Sequence, residues 1–334
     1  MFNLKFKKLF GFLGLFALIF TTLSGQSFAM KHPTYASKTC NGQIQVVIHA
    51  SYGGGTDTTA RMMSIRTRRT LNTDIQIVGK RGGSGAKAQN YTLTRPKDGC
   101  TIMALTESHL YTMARGKSNM KISDLVGVAR AMEEPTFVVV NAKNKELSTV
   151  KKMIKRAQKK PISVAIASIG GTEHIGMYSY SKAANIPFKA VSFGSGAQSL
   201  QALASGKVEA SLLNPSEAAA LIADKKIKAI VLLHDKALAD YPKVKTSYSM
   251  GHKVKVVTTR GYAVLKGTPQ SVIDEISKGM VKAMKHETFG NYLKGASLDP
   301  ATSPAGTKVW DKQLKENYKK AAAALDRKST RLNS

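Results

Sequence analysis

Acidic residues are scarce in this chain: 21 Asp and Glu stand against 51 Lys and Arg in 334 residues, a formal charge of +30. That imbalance favours anionic partners, from small carboxylates to nucleic acid or acidic lipid. Cysteine is nearly absent, with two copies. This excludes a disulfide-rich scaffold and leaves room for one bridge. No run of 18 or so apolar residues occurs, so a multi-span membrane protein is excluded. Disorder is excluded by a hydrophobic share of 43%, enough for cores in about two domains.

Motifs of common chemistries are missing too. Gly53-Gly54-Gly55 lacks the third glycine of a dinucleotide fingerprint, and no Gly-Lys-Ser/Thr phosphate loop exists. Gly82-Gly83-Ser84-Gly85-Ala86 lacks the closing glycine of a nucleophile elbow. The seven histidines show no metal-ligand spacing. The reading is therefore a non-enzyme, with no metal and no cofactor. Lys151–Lys160 holds six Lys or Arg but no aromatic platform, so it reads as the solvated face of a helix and not as a nucleic-acid contact.

Both ends stand apart from the fold. Lys5, Lys7 and Lys8 precede an uncharged run, Leu9–Phe20, and then Ser27-Phe28-Ala29. This is the pattern of a secretory signal cleaved after Ala29, which implies export. Asp326–Ser334 reads as a foreign tail, the in-frame translation of a sequencing-library adapter. The basic excess persists when both ends are set aside.

Between them the pattern alternates. Short β-branched runs at Gln43–His49, Asp74–Val78 and Thr101–Leu105 read as strands, with helices to about Thr70 and over Ala86–Thr94. The alternation resumes with strands at Thr136–Val140, Ile162–Ala167, Phe188–Val191, Val208–Leu213 and Ile227–Leu233. Helices are expected at Ser148–Lys159, up to Asn185, up to Ala204 and from Ser216. Two further strands are expected near Lys253–Val257 and Tyr262–Leu265, then a helical end over Pro269–Lys285, His286–Lys294 and Pro304–Leu325. The fold class is α/β, with two domains of mixed, mostly parallel sheet flanked by helices. Domain 1 is 30–130 plus 253–325 and domain 2 is 131–252, with crossings near Val126–Asn141 and Lys253–Leu265.

Glycine loops between strand and helix place free N–H groups and positive partial charge at the carboxyl ends of the strands, where open α/β sheets bind ligands. Four such loops face one cleft in this reading. Ser195 and its neighbouring N–H groups are the leading anion donors, followed by Ser84 and Gly85. Thr56 and Asp57 either cap a helix or contact the ligand. Thr172 serves as cap and donor. His174 faces the cleft or packs on the sheet. Glu107 pairs with an arginine such as Arg260 or reads a cationic ligand group. Met62 and Met63 read as core.

The loops also carry a resemblance. Val-Val-Ile-His-Ala-Ser-Tyr-Gly-Gly-Gly-Thr-Asp-Thr-Thr-Ala-Arg at Val46–Arg61 resembles the first binding loop of tripartite tricarboxylate transporter receptors, the Bug or TctC family. Val78–Leu105, with Gly82-Gly83-Ser84-Gly85 and Pro96-Lys97-Asp98-Gly99, is similar to its second signature. Gly171-Thr172-Glu173-His174, Phe193-Gly194-Ser195-Gly196, Gly206-Lys207-Val208-Glu209 and Gly261–Pro269 resemble later segments in the same order. The likeness spans about Gln43–Pro300. Departures are Gly79-Lys80-Arg81-Gly82 for the usual Asn-Arg-Pro-Gly, Cys100 for an aromatic, and Thr259-Arg260 where a Trp often precedes the glycine.

The resemblance implies a monomeric periplasmic receptor of type II-like architecture. It would close by hinge motion on a small carboxylate, an organic acid or amino acid, and present it to membrane permease subunits. A sensor feeding a signalling kinase and a periplasmic enzyme are the alternatives. The expected ligand-binding set is Tyr52, Gly54, Gly55, Thr56 and Asp57, then Ser84, Gly85 and Glu107. The second domain adds Ser168, Gly171, Thr172 and His174, then Phe193, Gly194, Ser195, Gly196 and Asn214. If Asp57 and Glu107 both face the cleft, like-charge repulsion favours an amino acid or hydroxylated acid over a tricarboxylate.

A disulfide between Cys40 and Cys100 is expected. An exported chain meets an oxidising compartment. With strand order 2-1-3, the first and third strands are parallel neighbours whose starts lie side by side, within the reach of a bridge.

Overall fold

The computed structural model describes residues 35–332. The signal segment with its cleavage point after Ala29, and the final two residues of the adapter-like tail, lie outside the described residues. Among these residues no helix is long and apolar enough to cross a membrane.

Tyr35–Thr39 (α1) leads into Gln43–Ile48 (β1). Gly55–Thr70 (α2), Asp74–Gly79 (β2), Ala86–Leu93 (α3) and Thr101–Leu105 (β3) follow in alternation, then Glu107–Ala114 (α4) and Leu125–Pro135 (β4). The second lobe is Phe137–Asn141 (β5), Val150–Lys159 (α5), Ile162–Ile166 (β6), Thr172–Ala184 (α6), Phe188–Ser192 (β7), Gly196–Ala204 (α7), Ala210–Leu213 (β8), Pro215–Ala223 (α8) and Ile227–Leu232 (β9). The chain returns through Val257–Leu265 (β10), Gln270–Met284 (α9), Glu287–Gly295 (α10), Ala305–Gly306 (β11) and Thr307–Leu332 (α11).

Two mixed sheets result, ordered β11-β4-β10-β3-β1-β2 and β7-β6-β8-β5-β9. β1 lies between β2 and β3 and is parallel to both. β10 joins this parallel set antiparallel to β3 and β4. In the second sheet β6 is parallel to β7 and β8, and β5 runs antiparallel between β8 and β9. Strand residues alternate between the two faces. Val46 thus enters a core with Met63 of α2 and Ile276 of α9. Its neighbour Val47 enters another with Leu110 of α4 and Trp310 of α11. In the second lobe Val138 meets Met177 of α6 on one face, and Phe137 meets Leu203 of α7 on the other.

The expected bridge forms: Cys40 and Cys100 are disulfide-bonded, with Cα atoms 5.3 Å apart. They stand at the starts of β1 and β3, the ends opposite the glycine loops.

The chain passes to the second lobe inside the expected segment Val126–Asn141, at Thr136, the one residue between the 11-residue strand β4 and β5. The helix α4, which no expectation covered, starts at a capping box in which Thr106 receives the His109 N–H and His109 replaces the usual Glu. One expectation needs correction: the two strands expected around Lys253–Leu265 are one strand, β10, that begins only at Val257. Upstream, Val254 and Val256 donate to His252 and Leu233, so those residues stay irregular. Inside β10, Gly261 looks like a break but is a packing position: a Cβ there would lie 2.3 Å from the Trp310 ring. Register shifts flank it at Arg260/Gly261 and Tyr262/Ala263, as bulges do.

Candidate functional site

A cavity of about 540 Å³ lies between the lobes at the carboxyl ends of the parallel strands, within the range of small-molecule sites. The starts of five helices reach it: Gly55 and Thr56 of α2, Ser108 of α4, Thr172 and Glu173 of α6, Gly196 of α7 behind its N-cap Ser195, and Glu217 of α8. Helix starts carry unpaired N–H groups and partial positive charge, so their convergence suits an anion. The loop Gly82–Gly85 completes the wall. Ser84 adopts φ 54° there, and its Oγ donates to Ile169 O across the cleft at 3.0 Å. Gly85, at φ 102°, lies so near His109 that a Cβ would sit 3.1 Å from the ring.

The lobes are tied by further polar contacts. Ser108 Oγ and Thr172 Oγ1 are 3.1 Å apart, and the Thr172 N–H donates to the same Ser108 Oγ. Ser51 Oγ donates to Gln198 Oε1 at 3.1 Å, and the Gly55 N–H to Glu217 Oε1 at 3.3 Å. Ser195 is buried and caps α7, its Oγ accepting the Gln198 N–H.

Of the expected set, Gly55, Thr56, Ser84, Gly85, Ser168, Thr172, Gly194, Ser195 and Gly196 line the cavity. The others do not, for local reasons. Asp57 accepts the Gly53 N–H at 2.8 Å and pairs with Arg61, so its charge is spent on its own loop and helix. Tyr52 is 60% exposed, and its hydroxyl accepts the Gly79 N–H. Glu107 lies on a second cavity, of about 870 Å³. It accepts the Thr259 N–H at 2.7 Å there, and Arg260 pairs with Glu134 instead. His174 Nδ1 accepts the Gly170 N–H, and the ring stacks edge-on against Phe188. Gly54 and Gly171 are the N-caps of α2 and α6. Gly54 is pressed against Ser195, whose Cβ is 3.0 Å from where a Gly54 Cβ would stand. Phe193 packs partly buried against the second-lobe core. Asn214 is spent on Arg260 and on Pro135 O.

Five charged or titratable residues outside the expected set line the cavity: His49, Arg81, Glu173, Glu217 and Arg260. Arg260 is buried, ion-paired with Glu134 and bonded through Nη2 to Asn214 Oδ1 at 3.1 Å. Burial opposes its charge, but Glu134, Tyr292 and Glu217 more than offset this and hold its pKa above the ordinary value. Burial first, then the Arg260 charge, lowers His49 to about 4, so it is neutral at pH 7. Burial raises Glu217, against the pull of Arg260. Burial also lifts Glu173 to about 7. Two of these had a legible signal. Asn-Pro-Ser-Glu at 214–217 is a capping-box pattern, and Arg260 precedes the glycine of the return strand.

The fold is that of a two-lobed α/β protein with a cavity between its lobes. A sequence model of the tripartite tricarboxylate transporter family receptor, TctC, matches residues 59–327, and the chain belongs to that family. BugT of Bordetella pertussis is 22% identical over 277 residues, covering 80% of this chain and 82% of that protein. MatC of Rhodopseudomonas palustris, solved with bound malate, superposes with a TM-score of 0.78 at 20% identity, covering 84% of this chain and 98% of MatC. An R. palustris protein solved with adipate gives a TM-score of 0.75 at 18% identity, covering 85% and 95%. At these identities the structural likeness establishes the shared fold.

Proposed function

We propose that this chain is a periplasmic receptor that captures one small carboxylate in the inter-lobe cavity and delivers it to the permease of a tripartite transporter. The observation that carries the reading is the convergence of five helix starts on one cavity between two lobes. Family membership supports it, as do relatives of the same fold solved with malate and adipate. The ligand carboxylate sits at the first-turn N–H groups of α2 and α7, beside Thr56, Ser195 and Gly196. The lobes follow the sheets, 35–135 with 257–325, and 137–256, because β4 and β10 lie wholly in the first sheet and Val254 and Val256 pack in the second core. They close by bending at the two connections, Thr136 and the segment before Val257. The protein acts by binding, without turnover.

A thermal-shift screen of the purified protein against organic acids and amino acids tests this. A true ligand at 100 times its dissociation constant adds ~2.7 kcal/mol of stability. Saturating ligand also shrinks the radius of gyration in small-angle scattering. A Ser195→Leu/Thr172→Leu variant stays folded and loses binding; unchanged affinity would overturn this placement.

A further inference from the structure

The cavity holds more carboxyl groups than a carboxylate-binding site needs. Three carboxylates line or back it, Glu134, Glu173 and Glu217, and two of them are satisfied within the protein. Glu134 has Arg260, and it also accepts the Ser216 N–H and hydroxyl at 3.0 and 2.9 Å. Glu217 accepts the Gly55 N–H through Oε1 and the Asn214 N–H through Oε2. Glu173 is different. It stands in the first turn of α6 on the cavity wall, and its Oε2 is buried with no hydrogen-bond partner among the described residues.

Among the described residues no cation forms an ion pair with Glu173, although the Arg260 charge acts on it. Arg260 spends Nη1 on Glu134 and Nη2 on Asn214, and its Nε is buried without a hydrogen-bond partner among the described residues. An unpaired buried carboxylate is costly, and the cost falls when a charge partner with N–H donors arrives. A ligand made only of carboxylates cannot supply one and adds repulsion. A protonated amine supplies both the charge and the donors.

Resting on the receptor reading above, we infer that Glu173 reads an ammonium group, so that the ligand class is an amino carboxylate. Its carboxylate takes the helix starts and its ammonium group takes Glu173. The selectivity that the sequence suggested through Asp57 and Glu107 is thereby carried by a different residue. The raised pKa of Glu173, caused by burial and then by Glu217 against the pull of Arg260 and its own N–H, agrees with a carboxyl group lacking its partner.

The test is calorimetric titration of the full chain with matched pairs that differ by one amine: aspartate with succinate, glutamate with glutarate, alanine with propionate. At least one amino member binds about tenfold or more tighter than its partner. Glu173→Gln, which keeps the shape and removes the charge, abolishes that preference, while its melting curve shows that it is folded. Equal or tighter binding of the amine-free acids by the unaltered protein would overturn the inference and leave the receptor reading standing. A preference that persists in Glu173→Gln would overturn the role of Glu173. Failure of all six acids to bind would overturn the carboxylate-receptor reading itself, and the inference with it.

Discussion

Arg260 and Glu134 form a buried ion pair on the two neighbouring strands, β10 and β4, that carry the chain between the lobes. The same pair reaches into the second lobe, because Arg260 holds Asn214 and Glu134 holds Ser216. Breaking a buried pair from one side leaves an uncompensated charge and costs about 3–5 kcal/mol. Arg260→Met is therefore expected to lower the urea unfolding free energy by that amount. Arg260→Met/Glu134→Gln removes the stranded charge while keeping an acceptor for Ser216, and should recover at least half. Equal losses in the single and double variants would show that the pair acts only by packing.

The Cys40–Cys100 bridge spans 60 residues of sequence. In the chain-entropy account, closing such a loop stabilises by ~4 kcal/mol. The bridge lies at the strand starts, away from the cavity at the opposite ends. Cys40→Ser/Cys100→Ser should lose about this much stability and keep its ligand affinity within twofold. Labelling of either thiol by an alkylating reagent without prior reduction would show that the bridge is absent.

The alternation of strands and helices, the 2-1-3 order and the disulfide were legible because they follow from local pattern and from neighbouring strand starts. Nine glycine-loop and hydroxyl residues on the cavity were legible for the same reason. The charged lining was harder to read. Asp57 and Glu107 occupy loop positions that look ligand-facing, but the Gly53 N–H, Arg61 and the Thr259 N–H claim them. Those claims depend on side-chain direction and on a strand 152 positions away. Glu173 and Glu217 sit one or two residues inside their helices, where a sequence reading sees only first-turn acids that suit the helix dipole. β4 and β10 contain Gly127 and Gly261, residues that weaken a strand pattern. In the structure these glycines give Trp310 its seat: a Cβ at Gly127 would lie 2.7 Å from the ring.

That seat gives a steric prediction. A Cβ on Gly261 would stand 2.3 Å from Trp310 Cζ2 and 2.4 Å from Cε2. The indole is buried and fixed by its Nε1 donating to Tyr262 O at 2.9 Å. Overpacking of this kind costs about 1–3 kcal/mol. Gly261→Ala should lower thermal stability accordingly, and Gly261→Ala/Trp310→Phe, which removes the crowded ring atoms, should lose less than the two single changes added. Strict additivity would show that the methyl is accommodated elsewhere.

Glu107 should make stability depend on pH in a defined direction. It begins α4, accepts the Thr259 N–H through Oε2 and faces Asn317 of α11 through Oε1 at 3.5 Å. Burial, aided by the Glu133 charge and opposed by the hydrogen bonds from Thr259, raises its pKa to about 7. Between the ordinary carboxyl value near 4.5 and about 7, the folded chain keeps a proton that the unfolded chain has released. The stability from this group is then fully present below pH 4.5 and is lost as pH rises through 7. Glu107→Gln stays neutral throughout. Its unfolding free energy, relative to that of the unaltered protein, should rise by about 1–3 kcal/mol between pH 4.5 and 8. His49 and Glu173 also titrate with folding in this range, but they do so in both proteins, so the difference isolates Glu107. A flat difference in urea titrations across the range would show that the Thr259 and Asn317 contacts keep the carboxylate ionised despite its burial.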